Sequence, residues 1–360
     1  MRTFALAVAT LPTVLSAQDS LPSRTVVPLP AIYYTPETGL ALGAAIGLFS
    51  TPPRRTDGTT PPTSSGFGVA VFTTKSQLLV SFKAELWPEN GRRRILASMD
   101  VQRFPSKYWG IGNDTPDSAE EDYTPQFTSG VFEYSWRSWR SLYTGVVIRG
   151  RWRALREASP EGLLADSATP GVGTFRGIGL GYLWAWDTRN KVSGPTRGTF
   201  LQFRREHYYD WLTTGGRWGT TTLDWRAYLP LLPFGPDHTL ATQLTMRSAG
   251  GAPFDQLPQL GGDALLRGYY EGRFRDRTLL AAQAEYRGYF VGPVGFAFGG
   301  GIGQVAPGLG QMGWNRFHAA IGGGLRVMID AAAGLALRVD WASATDGSSS
   351  GLYISAGEAF

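Results

Sequence analysis

The chain has 360 residues, room for one large barrel or two ordinary soluble domains, and no cysteine, which removes a disulfide framework, a thiolate metal site and a cysteine nucleophile. Its formal net charge is +5, but the longest basic run is Arg92-Arg93-Arg94 at a turn, so no nucleic-acid partner is expected. Beyond the N-terminal leader no segment holds the roughly 18 consecutive apolar residues of a membrane-spanning helix, which excludes helical spans. The slightly negative mean hydropathy, with 47 glycines and 13% aromatic residues, suits a soluble β protein or a membrane β-barrel, whose strands show lipid only every second residue.

In chain order, Arg2 supplies a positive start, residues 4–15 a short apolar run interrupted by Pro12, and Ser16-Ala17 small residues ahead of Gln18. This predicts a secretory signal peptide over 1–17, with a buried N-terminal element as the alternative. A short periplasmic segment over 18–27 and a β domain over 28–360 are expected to follow.

From there the pattern has period two, and no long amphipathic helix is visible. Sixteen strands are expected, starting near residues 28, 39, 66, 77, 93, 125, 141, 174, 198, 217, 238, 278, 293, 316, 334 and 350. In the fourth, Leu78, Val80, Phe82, Ala84 and Leu86 alternate with Leu79, Ser81, Lys83 and Glu85. In the fifth, Ile95, Ala97, Met99 and Val101 oppose Ser98, Asp100 and Gln102. Further on, Leu223, Trp225 and Ala227 oppose Asp224 and Arg226, and Leu335, Leu337, Val339 and Trp341 oppose Ala336, Arg338 and Asp340.

One apolar and one charged face fits a soluble sheet packed on one side, or a barrel with lipid outside and a wet lumen. Three features favour the barrel. The strands reach about ten residues, against five or six in soluble sheets. Arg149, Arg151 and Arg153 crowd one face of one strand. The chain ends on an alternating run of Leu352, Ile354, Ala356, Glu358 and Phe360, and Phe360 supplies the terminal aromatic common in outer-membrane barrels. Glu358 stands where an apolar residue is expected. Connections after Phe104, Arg153 and Arg247 are long and polar, whereas those at 88–91, 137–140 and 292–293 are short, the alternation of loops and turns that barrels show. The stretch 51–65 is long where a short turn is expected.

The most informative stretch is Gly261-Gly262-Asp263-Ala264-Leu265-Leu266-Arg267-Gly268-Tyr269-Tyr270-Glu271-Gly272-Arg273-Phe274-Arg275-Asp276, ahead of a strand carrying Gln283, Glu285 and Arg287. A loop that carries an arginine into a low-dielectric lumen needs a carboxylate partner. Gly268 lets the backbone pass close to the wall. Glu285 shares a face with Gln283 and Arg287, opposite Ala284 and Tyr286, and so should look into the lumen.

This stretch resembles the BamA/TamA-type outer-membrane assembly barrels, also called bacterial surface antigens, in which an Arg-Gly-aromatic loop tip, here Arg267-Gly268-Tyr269, folds into the lumen. Residues 33–39 resemble the start of that family's first strand. Tyr108-Trp109-Gly110-Ile111-Gly112-Asn113-Asp114 is similar to a recurrent loop segment, and Asp187-Thr188-Arg189 with Pro195-Thr196-Arg197-Gly198 to a periplasmic turn. The resemblance implies an all-β transmembrane antiparallel barrel of about sixteen strands and an Arg267–Glu285 ion pair. It also implies a second acceptor, an aspartate on the next strand. That position is Gly301 here, and Asp340 is the candidate substitute. Relatives that insert proteins carry POTRA domains before the barrel. The dozen or so residues ahead of the first strand are too few for one, so a member lacking them is expected.

No enzyme is expected: His207, His238 and His318 are scattered without metal-ligand spacing, and neither a nucleophile elbow nor a phosphate-cradling loop occurs. Gly299-Gly300-Gly301-Ile302-Gly303 lacks a following helix and reads as a flexible strand rather than a dinucleotide site. No cofactor or metal is implied. The expected partners are the outer-membrane bilayer, unfolded barrel clients and a separate periplasmic protein, in a Gram-negative outer membrane. By resemblance the role is insertion or translocation of protein or lipid. A passive pore, made anion-favouring by Arg149, Arg151, Arg153, Arg226 and Arg338, and a structural surface antigen are the alternatives.

Overall fold

The computed structural model describes residues 22–360 except 37, 54–60, 167–168, 211–215, 236–237 and 331–333. The expected signal peptide therefore lies outside the described residues. Among those residues, sixteen wall strands form one antiparallel sheet closed on itself. They are β1 (Ser23–Thr35), β2 (Gly39–Thr51), β3 (Ser64–Thr73), β4 (Leu78–Leu86), β5 (Arg93–Arg103), β6 (Glu121–Trp139), β7 (Leu142–Glu157) and β8 (Phe175–Asp187). The second half comprises β9 (Gly198–Tyr209), β10 (Arg217–Pro230), β11 (Thr239–Gly250), β12 (Thr278–Val291), β13 (Val294–Ala306), β14 (His318–Asp330), β15 (Leu335–Ala344) and β16 (Ser350–Ala356). One α-helical turn, α1 (Pro88–Gly91), five 3-10 turns and short strand pairings in the loops complete the regular structure among the described residues.

The faces sort by chemistry. On β4, Phe82 is 49% exposed while Glu85 is 8% exposed. Large apolar residues stay on the outer surface along β6 to β8 (Phe132, Trp136, Val146, Ile148, Leu180, Trp184) and β15 (Leu337, Val339, Trp341). An exposed apolar band of this extent on a closed sheet is a lipid-facing wall. Most charged side chains of the wall turn inward, where counter-charges meet them.

The strand starts depart from expectation where a local cue misled. β1 begins at Ser23, ahead of residue 28, because β2 runs to Thr51 and pairs with it over its full length. β6 begins at Glu121, ahead of residue 125. Pro125 reads as a strand boundary, but it sits at a register shift between Thr124 and Pro125, where a missing ladder N–H is tolerated. The alternating run through Phe360 holds only to Ala356. Gly357, with φ +80°, turns the chain off the wall, so Glu358 and Phe360 are not strand residues. The connection from Thr51 to Ser64 is long on the short-turn side, as the composition indicated.

Closure is uneven. β1 pairs with β2 at thirteen positions, β15 with β16 at seven, and β1 with β16 at one, Tyr34 opposite Ile354. β16 is seven residues long against thirteen for β1, so most of the outer edge of β1 meets no paired strand. Pro28 and Pro30 lie on that stretch, where they cannot donate to a ladder.

Candidate functional site

Residues 251–277 join β11 to β12 and pack against the inner wall. Leu260, Leu265, Leu266, Tyr269 and Phe274 form one buried cluster with Leu279 and Ala281 of β12, Val305 of β13, Ala320 of β14 and Ala344 of β15. Burying each large side chain stabilises the docked loop by about 1.5–3 kcal/mol. The glycine run of β13 has a steric use that its composition did not announce. A Cβ at Gly303 would lie 2.5 Å from Leu260 Cδ1, and one at Gly301 would lie 3.3 Å from Leu266 Cδ1 and 2.9 Å from Gln283 Cβ. The inward glycines thus form a groove that receives the loop's leucines.

At the tip, Arg267 forms ion pairs with Glu285 of β12 and with Asp340 of β15, the latter at 2.6 Å. Gly301 leaves room for Leu266 and supplies no acceptor, and Asp340 occupies the second-carboxylate role. Gly268 has φ +109°, donates its N–H to the Tyr353 hydroxyl at 3.0 Å, and runs so close to β15 that a Cβ would sit 2.9 Å from the Ser343 carbonyl carbon. A side chain there would meet both a backbone penalty and a wall. Tyr269 is buried edge-on to Phe274 at 5.6 Å and to His318 at 5.8 Å. Burial pushes the Arg267 guanidinium down to about 10, which leaves it charged at neutral pH.

The pair is part of a larger network. Asp340 also accepts from Arg326 at 2.5 Å and Arg338 at 3.2 Å. Glu285 also holds Arg287 at 2.8 Å, Asp263 holds Arg338, and Glu358 reaches Arg326 at 3.1 Å and Arg287 at 3.7 Å. Four arginines meet four carboxylates drawn from the loop, β12, β14, β15 and the tail, beside the strands that close the barrel. Phe360 belongs to the same place. Its carbonyl accepts from Arg287 at 3.1 Å, its ring lies 4.7 Å from that guanidinium, and it packs on Tyr228 and Ala241. The sequence singled out Arg267, Gly268, Tyr269, Glu285, Asp340 and Phe360. Arg287 and Asp263 stand in the stretch that the sequence singled out but were given no partner, and Arg326 escaped notice, although its inward parity was readable.

A second loop buttresses the first. Gly112 donates its N–H to the Arg275 carbonyl at 2.8 Å, and Trp109 meets Tyr270 edge-on at 5.4 Å. Asn113 accepts from the Val305 N–H at 2.9 Å and donates to the Arg316 carbonyl at 2.9 Å. At the opposite end, the β8–β9 turn folds inward. Arg189 pairs with Asp187 at 2.7 Å, Val192 packs against the cluster of Trp87, Tyr143 and Phe200, and the Ser193 hydroxyl donates to the Gly334 carbonyl at 3.4 Å in the β14–β15 turn.

The arginines behind the anion-pore alternative are all matched. Arg149 pairs with Glu206 at 2.9 Å, Arg151 and Arg153 with Asp255 at 3.3 and 3.2 Å, and Arg226 with Asp224 at 2.6 Å; Arg338 is in the network above. Each thus has a carboxylate beside it, Arg151 and Arg153 sharing one, which weakens the anion-favouring field that the sequence pattern suggests. Among the described residues, no group of three or more histidine, cysteine, aspartate or glutamate side chains could hold a metal ion.

The sequence matches the Omp85 superfamily domain over residues 144–360. No curated protein matches it. Among solved structures, it superposes on BamA from Haemophilus ducreyi lacking POTRA domains 1–3, with a TM-score of 0.60 at 12% identity, covering 93% of this chain and 70% of that one. It also superposes on CdiB from Acinetobacter baumannii, with a TM-score of 0.51 at 12% identity, covering 93% of this chain and 65% of that one. These two likenesses concern the fold.

Proposed function

The chain belongs to the Omp85 superfamily, and from that membership we propose that it acts in bacterial outer-membrane biogenesis, inserting or translocating protein or lipid. The observation that carries this reading is the seam. β1 and β16 meet at one register pair, so the outer edge of β1 presents unpaired backbone groups to the membrane. An open edge of this kind templates an added strand, with main-chain hydrogen bonds supplying affinity and alternate side chains the register. Inside the barrel, between the long-loop end of β1 and β5 to β7, lies a cavity of about 500 Å³, lined among others by Tyr33, Thr35, Gln102, Arg151, Asp255 and Asp263. It offers room for a client segment on the inner side. The charge network holds β12, β14 and β15 rigid next to this edge, so opening is confined to the β1–β16 contact. The partners are unfolded barrel clients, the bilayer, and a separate periplasmic protein that delivers them.

The test uses the absence of native cysteine. Tyr34→Cys with Ile354→Cys places two thiols at the β1–β16 register pair seen among the described residues, where antiparallel Cα separations of about 4.5–5.5 Å permit a disulfide. In liposomes the reduced variant is expected to accelerate insertion of an unfolded barrel protein, and the oxidised one to lose at least tenfold of that rate and regain it on reduction. A wild-type barrel with no effect on insertion, in a strain whose deletion leaves client-barrel levels and lipid asymmetry unaltered, would falsify the proposal.

A further inference from the structure

The outer wall opposite the seam carries a feature that neither the network nor the seam uses. Along β6, β7 and β8 the outward residues pair in rows. One row runs Trp136–Thr144–Trp184, and the next ones toward the long-loop end run Tyr134–Val146–Tyr182 and Phe132–Ile148–Leu180. The following row is Met99–Gly130–Gly150–Ile178. Two adjacent glycines interrupt an otherwise bulky surface and leave a notch of about 450 Å³ between Met99, Trp152, Arg176 and Ile178. Gly150 lies mid-strand, yet a Cβ there would meet nothing within 4 Å. Neighbouring side chains do not fill the space.

Directly above the notch, the next row places Thr128 beside Trp152 and Trp152 beside Arg176. Ile178 pairs with Tyr209, and Tyr209 with Arg217, whose guanidinium stacks 4.8 Å over the tyrosine ring. Arg205 faces outward on β9 and donates to Thr221 at 2.6 Å. Among the described residues, Arg176, Arg205 and Arg217 form no ion pair with a carboxylate. The carboxylates of these strands are turned inward, Glu206 toward Arg149 and Asp224 toward Arg226, while Asp187 is held by Arg189. Between the Trp136 row and the Trp152 row lie eight residues of strand, about 27 Å along the chain and about 20 Å in height at the usual tilt. Arg176 therefore sits where lipid headgroups begin, and the notch lies just below, among acyl chains; Arg217 stands at the first residue of β10, in register with the notch, while Arg205, opposite Tyr182, lies two rows lower and takes no part.

We propose that the Gly130–Gly150 notch, with Arg176 above it and Arg217 two strands along its row, binds an anionic, phosphate-bearing bilayer lipid in the leaflet on the long-loop side. One acyl chain lies over the two glycines, and the phosphate takes charge-assisted hydrogen bonds from Arg176 and Arg217. Trp152 anchors the boundary between chain and headgroup. The proposal does not depend on the assembly role of the seam.

The full-length barrel, stripped of lipid in a non-ionic detergent, is titrated with single lipids and the bound molecules are counted by native mass spectrometry. Phosphatidylglycerol and lipid A are expected to bind at least fivefold better than phosphatidylcholine of matched chains. Gly150→Leu fills the notch from an open position, and Arg176→Ala with Arg217→Ala removes the headgroup charge. Each is expected to lower binding at least fivefold, while heat-modifiable migration shows that the fold is kept. Millimolar inorganic phosphate is expected to leave the lipid in place. Equal binding of all headgroups, wild-type binding by both variants, or displacement by phosphate alone would each overturn the proposal.

Discussion

Asp340 is 2% exposed and faces Arg267, Arg326 and Arg338 at once. Three cations around one buried carboxylate would repel one another without it, so its loss costs more than a single pair. Asp340→Ala is expected to destabilise the barrel by about 3–5 kcal/mol, the usual penalty for stranding buried charge. Glu285→Gln keeps an acceptor for Arg267 and Arg287 and should cost less. The temperature at which folded migration is lost in gels ranks the two, and a larger loss for Glu285→Gln would contradict the central place given to Asp340. Gly301 permits a second residue-scale test. Gly301→Asp restores the carboxylate of the family pattern, but its Cβ would lie 2.9 Å from Gln283 Cβ and crowd Leu266. It is expected to loosen the loop and lower stability, whereas a gain would mean that Arg267 lacks an acceptor.

At the scale of elements, the wall was legible and the loops were not, for a physical reason. Lipid on one side and water on the other impose period two on every strand, and all sixteen appear in the sequence. The start of β6 was missed because Pro125 hides a register shift, and the end of β16 because alternation continues past Gly357 after the chain has turned inward. The Arg267–Glu285 contact could be anticipated because a loop motif and an inward parity point at each other. Asn113 could not, since its partners Val305 and Arg316 lie about 200 residues away with no pattern to join them. Asn113→Ala leaves the buried Val305 N–H without its acceptor, at a cost of about 1–3 kcal/mol. The 104–120 loop should then be cleaved by trypsin at Lys107 faster than in the wild type while the wall stays intact. Unchanged cleavage would show that the aromatic contacts alone hold the loop.

Considered whole, the molecule is a barrel whose lumen is covered at both ends by its own segments. The arginine-tipped loop and the 104–120 loop cover the long-loop end, and the β8–β9 turn reaches the β14–β15 turn at the other. The pore alternative arose because a single strand displays the cations of the lumen while their carboxylates are scattered: Asp255 comes from a distant loop and Glu206 from β9. Composition counts charges but cannot pair them. In planar bilayers the wild-type protein is therefore expected to pass small, intermittent currents with a chloride-to-sodium permeability ratio near unity, because paired lumen charges select neither ion. Arg267→Ala removes the loop's bonds to β12 and β15 and should raise the frequency of openings without creating strong anion preference. Large, steady, anion-selective currents that Arg267→Ala leaves unchanged would mean that the loop does not obstruct the lumen and that the arginines act unpaired. The passive pore would then replace assembly as the better account of the same wall.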